Sequence, residues 1–429
     1  MRDPYDVMIA GGGPGGCAAA IAAGRAKART LLIERYGCLG GMATIGLVNP
    51  FMPFSITHPE TGETERISAG IFSELLDVLE QHNALQERAF DEEILKIVLD
   101  GMMEDAGVDT LLHALVVGVR MEGERIRALE VETKSGRLTV EGAVFVDATG
   151  DGDLAAFAGA PFEVGRSEDG LPQAMTTCFN MSDVEVSALM RDGFAAGRRY
   201  VNRKFREAQK RGRLADVPIG NFRWYLHPRP GVLHFNVTRV THRFGTSVED
   251  LAAAEIEARR QIDEIWQWLV EEVEPFRHAW LSKIATQIGV RESRRILGDY
   301  VIDQEDILEA TKFPDAVMRG CYGIDIHNPT EAGCKWRSVK RGEAYEVPYR
   351  AITPRKTRNL LMSCRALSAT HEAHAAIRVM PQMFTLGHAA GLAAAMAARG
   401  NGDVREVDTN ALQDRLIEEG ANLIKHGTA

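Results

Sequence analysis

The sequence YDVMIAGGGPGG, residues 5–16, decides how the N-terminal part of the chain folds. It begins with a mostly apolar run that is typical of a buried strand, and its glycines have the spacing G-x-G-x-x-G. The alanine-rich residues 16–28 predict a helix, and residues 30–34 (TLLIE) predict a second strand. Together they predict one β-α-β unit, with the glycines in the turn where the helix begins.

The glycine turn has the features of a dinucleotide site. Gly11, Gly13 and Gly16 let the backbone come close to a ligand, and the start of the helix offers free N–H groups to a pyrophosphate. Glu34, at the end of the second strand, is placed to accept hydrogen bonds from ribose hydroxyls, and its charge disfavours the 2′-phosphate of NADP. A tight turn without a ligand is the alternative, but the surrounding strand, helix and acid favour a dinucleotide.

The composition is that of a globular protein. The chain has 429 residues, of which 45% are hydrophobic and 26% charged, so two or three domains with sizeable cores are expected. The net charge of −10 makes nucleic acid a poor partner. The six cysteines are scattered without a C-x-x-C pair, which favours reduced thiols.

The sequence predicts neither a membrane span nor a secretory signal. The alanine-rich run at residues 389–398, which has no polar side chain, is half the length of roughly 20 residues that a membrane helix needs. The N-terminus lacks the apolar segment of a signal peptide. We therefore expect a cytoplasmic location.

Beyond the first β-α-β unit, the pattern divides the chain into regions. Residues 91–106 predict a helix, and extended stretches at 110–121, 125–134 and 137–147 predict a β-meander. Residues 176–340 differ, because they contain long charged helices and all five tryptophans, the last of which, Trp336, lies near the end of the range. We expect a second domain there.

Several motifs resemble those of flavoproteins. Residues 37–44 (GCLGGMAT) resemble the second phosphate loop of such proteins, and residues 146–153 (VDATGDGD) resemble the Ala-Thr-Gly segment that returns to the cofactor in FAD domains of the glutathione-reductase type. Residues 345–350 (YEVPYR), 359–365 (NLLMSCR) and 368–381 (SATHEAHAAIRVMP) are similar to the FAD-dependent oxidoreductase family, whose relatives include fumarate reductase flavoproteins. The stretches at 289–296 and 325–327 also resemble this family.

The resemblance implies an α/β fold with FAD as cofactor. A Rossmann-like FAD-binding domain of the glutathione-reductase type, with its β-meander, would be formed by residues 1–175 and 341–429. An inserted α+β domain, residues 176–340, would bind substrate and cap the flavin. The residues expected to bind FAD are Gly11, Gly13, Pro14, Gly15, Gly16, Glu34, Arg35, Gly40, Gly41, Met42, Ala43, Thr44, Val116, Ala148, Gly150, Asp151, Arg378, Val379 and Met380.

Candidate catalytic residues lie before the last long helix. Pro381 indicates where that helix begins, and in flavoproteins of this type the positive helix end faces the flavin edge that becomes negative on reduction. Arg378 would add to this charge. His371 and His374 are candidate acid–base groups. Our hypothesis is that one of them moves a proton of a small organic substrate while a hydride passes between substrate and flavin. A structural role for one of the two is the alternative.

Other residues are expected to contact the substrate. Arg350 and Tyr349 are candidates for holding an anionic group, and His327 is a candidate from the second domain. No metal is expected, because the spacing of His371 and His374 does not match the zinc motif H-E-x-x-H.

The source or destination of the electrons is not specified by any motif. A second G-x-G-x-x-G is missing from the sequence, so we expect no built-in NAD(P)H domain and an electron donor or acceptor of unknown kind. The predicted function is an FAD-dependent oxidoreductase for a small organic substrate. Two alternatives remain open, a flavoprotein subunit reduced by a partner protein and a flavin-dependent isomerase or lyase without net redox change. The sequence is compatible with a homo-oligomer.

Overall fold

The computed structural model describes residues 4–426. The α-helices are α1 Pro14–Arg25, α2 Ile71–Gln81, α3 Glu92–Ala106, α4 Asp153–Phe157, α5 Val186–Met190, α6 Phe194–Lys210, α7 Val248–Glu272, α8 Gln304–Leu308, α9 His371–Ile377, α10 Met380–Arg399 and α11 Thr409–Glu418. The strands are β1 Tyr5–Ala10, β2 Thr30–Ile33, β3 Ser55–Thr57, β4 Thr64–Arg66, β5 Leu85–Gln86, β6 Ala89–Phe90, β7 Asp109–Leu111, β8 Ala114–Glu122, β9 Arg125–Thr133, β10 Gly136–Asp147, β11 Phe162–Val164, β12 Phe179–Ser182, β13 Trp224–Leu226, β14 Leu233–Phe235, β15 Trp280–Ile284, β16 Arg294–Ile296, β17 Ala316–Gly320, β18 Ile324–His327, β19 Cys334–Arg337, β20 Tyr345–Pro348 and β21 Leu360–Met362.

A parallel sheet forms the centre of the fold, in the order β7-β2-β1-β10-β21. Val7 of β1 lies opposite Thr30 on one side and Val144 on the other. Consecutive side chains from Val7 to Ala10 are all buried, so both faces of this strand are covered. The four strands β1, β2, β10 and β21 end at the same edge, where parallel α/β sheets commonly bind ligands.

Helices α1 and α10 pack against each other with their backbones in contact. A Cβ atom at Gly387 would lie 2.2 Å from the carbonyl oxygen of Gly15, and one at Gly391 would lie 2.0 Å from that of Ala19. Nearly all residues of α1 are buried, which explains its alanine-rich sequence without a polar face. This packing fixes the start of α10 beside the start of α1.

Strand β10 belongs to two layers. Its first half pairs with β9 in the antiparallel meander, and its second half pairs with β1 and β21 in the parallel sheet. The sequence predicted one strand at 110–121, but the structure has two, β7 and β8. His113, with φ 54°, breaks the extended chain between them, so β7 joins the parallel sheet and β8 joins the meander.

A second core of buried side chains lies between residues 179 and 284. It is built on the antiparallel sheet β13-β14-β12-β15 and on helices α6 and α7. Helix α7 begins after Ser247, whose side chain accepts a hydrogen bond from the N–H of Asp250. Large rings fill this core, among them Trp224, Trp268 and Phe235.

The first core also contains residues from the range predicted for the second domain. Ile296, Ile302, Met318 and Ile324 are buried with the strands of the parallel sheet. The boundaries at 175 and 340 stay predictions.

Within residues 4–426, no helix has both the length and the apolar character needed to cross a membrane. All six cysteines are free thiols, as predicted from their spacing.

Candidate functional site

A cavity of about 290 Å³ opens where the strands of the parallel sheet end. Gly11 follows β1, Glu34 follows β2, Ala148 follows β10 and Ser363 follows β21, and all four line this cavity. The cavity continues from this edge to residues of the second core and of the hairpin β18–β19. It therefore connects the predicted dinucleotide site with the region predicted to bind substrate.

The glycine turn fits a pyrophosphate. Gly11 has φ +100°, and a Cβ atom there would lie 2.3 Å from the Ala148 carbonyl oxygen, so this position requires glycine. A Cβ atom at Gly13 would meet nothing within 4 Å among the described residues, which leaves open space beside the backbone. In the part of the chain that the structure describes, no side chain caps α1 and its first turn holds no acid. Its positive end is therefore free for an anion.

Glu34 holds the position expected of a ribose ligand. It lines the cavity, its Oε2 accepts a hydrogen bond from the N–H of Gly12 at 2.6 Å, and its Oε1 accepts one from the N–H of Tyr36 at 2.9 Å. These bonds fix the carboxylate beside the glycine turn. Each oxygen keeps a lone pair for a ribose hydroxyl.

A second helix begins at the same cavity. Val379 is the N-cap of α10, and Val379, Met380 and Arg378 line the cavity. Among residues 4–426, α10 has no side-chain cap, and its first turn contains no acid. The Oγ of Ser363, also at the cavity, is buried without a hydrogen-bond partner from the described chain. Two free helix ends and an unpaired hydroxyl fit a large polar ligand of the FAD type.

The structure brings most of the predicted cofactor residues to the cavity. Those that line it are Gly11, Gly13, Pro14, Gly15, Glu34, Arg35, Gly41, Met42, Ala148, Gly150, Asp151, Arg378, Val379 and Met380. Gly16, Gly40, Ala43, Thr44 and Val116 do not line it. Gly40 and Thr44 make hydrogen bonds within the two glycine-rich loops instead: the Gly40 N–H donates to the Gly12 carbonyl, and the Thr44 hydroxyl donates to the Leu39 carbonyl.

The two histidines predicted as acid–base groups do not reach the cavity. His371 is buried against Glu292, with 2.9 Å between its Nδ1 and the carboxylate. His374 is fully buried, and neither ring nitrogen has a hydrogen-bond partner among residues 4–426. Burial and the nearby Arg378 hold the pKa of His374 well below its usual range. The short helix α9 turns both rings into the core, which corrects the expectation that they face the flavin.

Tyr349 and Arg350 also lie away from the cavity. The Tyr349 hydroxyl donates to the Val404 carbonyl at 2.7 Å, and Arg350 is half exposed in an ion pair with Asp315. Their partners occupy the groups that were expected to hold a substrate anion. The predicted substrate residue that does line the cavity is His327.

Four arginines line the part of the cavity beside the hairpin β18–β19. They are Arg223, Arg239, Arg291 and Arg378, which we call the arginine chamber. Three of them donate to backbone carbonyls: Arg239 to Asn328 and Gly333, Arg291 to Ala174 and Arg378 to Asp325. No carboxylate of residues 4–426 lies within 4.0 Å of any of the four guanidinium groups.

The charges in this chamber repel one another. Burial and the positive charge of Arg378 lower the pKa of Arg291 to about 10. The Nε atoms of Arg239 and Arg378 are buried without a partner from the part of the chain described. Buried cations normally have anionic partners, so an anion bound here would relieve the repulsion.

Three side chains of the hairpin β18–β19 face the chamber. Asp325 and His327 are two residues apart on β18, and His327 lies opposite Cys334 of β19, so all three side chains are on one face. His327 Nδ1 is 3.4 Å from Cys334 Sγ, and His327 Nε2 is 3.4 Å from an Asp325 carboxylate oxygen. The Tyr322 hydroxyl donates to the same carboxylate at 2.9 Å.

Burial and the neighbouring arginines set the protonation of this group. Burial and the charge of Arg291 lower the pKa of His327 to about 3, so its ring is neutral near pH 7. Burial by itself would raise the pKa of Asp325, but His327 and Arg378 outweigh it and hold that pKa well below its usual range. Burial and Asp325 raise the pKa of Cys334, against the opposing charge of the arginines. A neutral histidine beside a carboxylate can accept and return a proton.

The spacing of Asp325, His327 and Cys334 would also suit a metal ion, since their ligand atoms lie within 4.8 Å of one another. The charge around them does not suit one. Four guanidinium groups line the same space, and their positive potential opposes a divalent cation while favouring an anion.

Sequence reasoning predicted Arg378 at the site but missed the other three arginines of the chamber, as well as Tyr322 and Cys334. The alternation Asp-x-His within residues 324–327 was a usable signal, because it places two polar side chains on one face of a strand. The arginines come from separate segments of the chain, so only the folded structure brings them to one cavity.

Comparisons with known proteins place the chain in a family. A family model described as FAD dependent oxidoreductase matches residues 6–416. Similar solved structures include a geranylgeranyl bacteriochlorophyll reductase-like protein from Thermoplasma acidophilum, with 12% identity, a TM-score of 0.49 and coverage of 97% of this chain and 84% of that one. The flavin-dependent brominase Bmp2, as a triple mutant, has 14% identity, a TM-score of 0.47 and coverage of 96% and 84%. No curated protein matches the chain. The protein belongs to the FAD dependent oxidoreductase family, and its cofactor is FAD.

Proposed function

We propose that this protein is a two-electron oxidoreductase that acts on a small organic anion, such as a carboxylate, with FAD as the electron carrier. The observation that carries the proposal is the arginine chamber. Its four guanidinium groups lack carboxylate partners within residues 4–426 and line the same cavity as the dinucleotide turn.

The residues at the glycine end would hold the cofactor. The uncapped start of α1 would bind the pyrophosphate, and Glu34 would bind ribose hydroxyls. The start of α10, together with Arg378, would favour negative charge on the ring system. Bound FAD supplies the group that accepts or releases a hydride.

The residues at the other end would bind and orient the substrate. Arg239 and Arg291 are buried, so a carboxylate that binds to them does so with little competition from water. Arg223 is more exposed and lies where the cavity meets solvent. These groups would select anions over neutral molecules of the same shape.

His327 is the group we propose for proton transfer, in place of His371 and His374. It lines the cavity, is neutral near pH 7, and has Asp325 beside one ring nitrogen. A carboxylate in this position orients the ring and stabilises its protonated form during the reaction. The proton would come from, or return to, the substrate atom nearest this ring.

The proposal includes no NAD(P)H-binding domain within the chain, and the second electron partner stays open. A homo-oligomer also stays a prediction.

The test is anaerobic mixing of the FAD-loaded protein with a panel of small organic acids and their neutral amides. We expect at least one acid, and not its amide, to bleach the visible flavin band or to reoxidise a pre-reduced sample. Arg291→Gln should raise the acid concentration needed by about tenfold or more. Arg358→Gln is the matched control, since Arg358 is an exposed arginine that pairs with Asp403 and Glu124.

The outcomes separate the proposal from its alternatives. Equal response to acids and amides would contradict the anionic substrate. If no small molecule reduces the oxidised flavin or reoxidises the reduced flavin, the proposal is contradicted. That result would favour a subunit that exchanges electrons with a partner protein.

A further inference from the structure

The hairpin β18–β19 arranges a thiol, an imidazole and a carboxylate in sequence. Cys334 Sγ is 3.4 Å from His327 Nδ1, and His327 Nε2 is 3.4 Å from the Asp325 carboxylate. The Tyr322 hydroxyl donates a hydrogen bond to the Asp325 carboxylate, and the backbone N–H of His327 donates one to the Gln173 side chain. These two bonds hold the strand in place. A nucleophile beside a base that is itself oriented by a third group is the arrangement that covalent catalysis requires.

We propose that Cys334, His327 and Asp325, which we call the thiol triad, form a nucleophilic site for small carboxylates that carry an electrophilic carbon. The inference rests on the proposed function in one respect, since it uses the same arginine chamber to bind the anion. Its test does not need turnover, so the two can fail separately.

The surroundings of Cys334 select for anionic electrophiles. Arg239 holds the hairpin by donating to the carbonyls of Asn328 and Gly333, and its buried Nε has no partner among residues 4–426. Arg223 and Arg291 line the same space. Their charges oppose the rise in the Cys334 pKa that burial and Asp325 cause, they favour a nearby carboxylate, and they disfavour a metal ion.

The chemical step balances without an external oxidant or reductant. With an unsaturated carboxylate, the sulfur electron pair forms an S–C bond to the β carbon while the π bond breaks. The thiol proton passes to His327 Nδ1 and then to the α carbon. With iodoacetate as a probe, the S–C bond forms, the C–I bond breaks, iodide leaves, and His327 passes the thiol proton on to solvent.

The other cysteines serve as internal references. Cys17, Cys178 and Cys364 are buried in the cores. Cys321 contacts the carbonyls of Pro53 and Ser55, and burial raises its pKa to about 12. Cys38 is partly accessible and does not line the chamber.

The experiment is timed alkylation of the FAD-loaded protein with iodoacetate or iodoacetamide, followed by peptide mass spectrometry of each cysteine. We expect Cys334 to react before Cys38 and Cys321. We also expect its iodoacetate to iodoacetamide rate ratio to exceed that of a free peptide with the sequence of residues 331–337 by about tenfold. His327→Asn should slow both reagents at Cys334 by about tenfold.

Two further variants keep the proposal testable if His327→Asn fails to fold. Arg291→Gln should slow iodoacetate more than iodoacetamide, whereas Arg358→Gln should change neither. The proposal is overturned if Cys334 reacts no faster than Cys38, or if its rate ratio equals that of the free peptide. It is also overturned if stoichiometric Zn²⁺ binds and protects Cys334, because the three side chains would then be metal ligands.

Discussion

Glu92 joins the N-terminus of α3 to the second core, and its replacement tests that connection. Its buried carboxylate accepts hydrogen bonds from Asn180 at 2.9 Å and Lys283 at 3.2 Å, and lies 3.0 Å from His227 Nε2. All three partners come from the region that holds the second core. Glu92→Gln keeps the shape of the side chain and removes its charge.

The pKa of Glu92 gives the size of the expected effect. Burial opposes ionisation, but His227 and Lys283 outweigh it and lower the pKa from 4.5 to about 2. A difference of this size corresponds to about 3 kcal/mol of folding free energy at pH 7. Because the pKa is lower in the folded state, this stabilisation is present above pH 4.5 and is lost as the pH falls towards 2.

The assay is urea unfolding of the FAD-loaded protein at pH 7 and at pH 3.5. Glu92→Gln should cost about 3 kcal/mol at pH 7 and clearly less at pH 3.5. Glu93→Gln is the matched control, because Glu93 is the neighbouring glutamate with a side chain that is 55% exposed, and it should cost under about 1 kcal/mol. The reasoning is refuted if both variants cost the same, or if the loss at Glu92 does not shrink in acid.

Three further predictions concern the cavity and the helix pair. Gly13→Val should lower FAD affinity by about tenfold or more, because the valine side chain would fill the open space at the start of α1. Titration of the apoprotein with FAD measures the affinity, and an unchanged value would contradict the pyrophosphate site. Gly391→Ala should lower the free energy of unfolding by about 1–3 kcal/mol, because the new Cβ would lie 2.0 Å from the Ala19 carbonyl oxygen. An unchanged free energy in urea unfolding would contradict the close packing of α1 and α10. His327→Asn should slow flavin reduction by about 100-fold in rapid mixing with an organic acid that reduces the wild-type flavin. An equal loss for His371→Asn would instead support His371, which the sequence predicted, as the acid–base group.

The sequence was sufficient to predict the β-α-β unit and the meander, because both depend on local patterns. The glycine spacing required a tight turn, and the apolar runs of β1 and β2 required a buried parallel sheet. The helix that starts at Pro381 was also predictable, since proline is favoured in the first turn. These features together predicted the part of the cavity where we propose that FAD binds.

The substrate end could not be predicted in the same way, because its residues meet only through tertiary packing. Cys334 reaches His327 through the register of a hairpin, and Arg291 reaches both through packing of a distant segment. His371 was expected to face the flavin because it is a polar residue in a flavoprotein-like motif. Its ring instead pairs with the buried carboxylate of Glu292, which is distant in sequence. Which side of a seven-residue helix faces a cavity depends on such partners.

The most direct test of the account is whether one cavity holds both FAD and a small organic anion. A non-reacting carboxylate added to the oxidised, FAD-loaded protein should perturb the visible flavin spectrum with a saturable dependence on concentration. We expect Arg291→Gln to weaken this response by about tenfold and Arg358→Gln to leave it unchanged. A spectrum that no organic anion perturbs, or a response equal in both variants, would contradict the account.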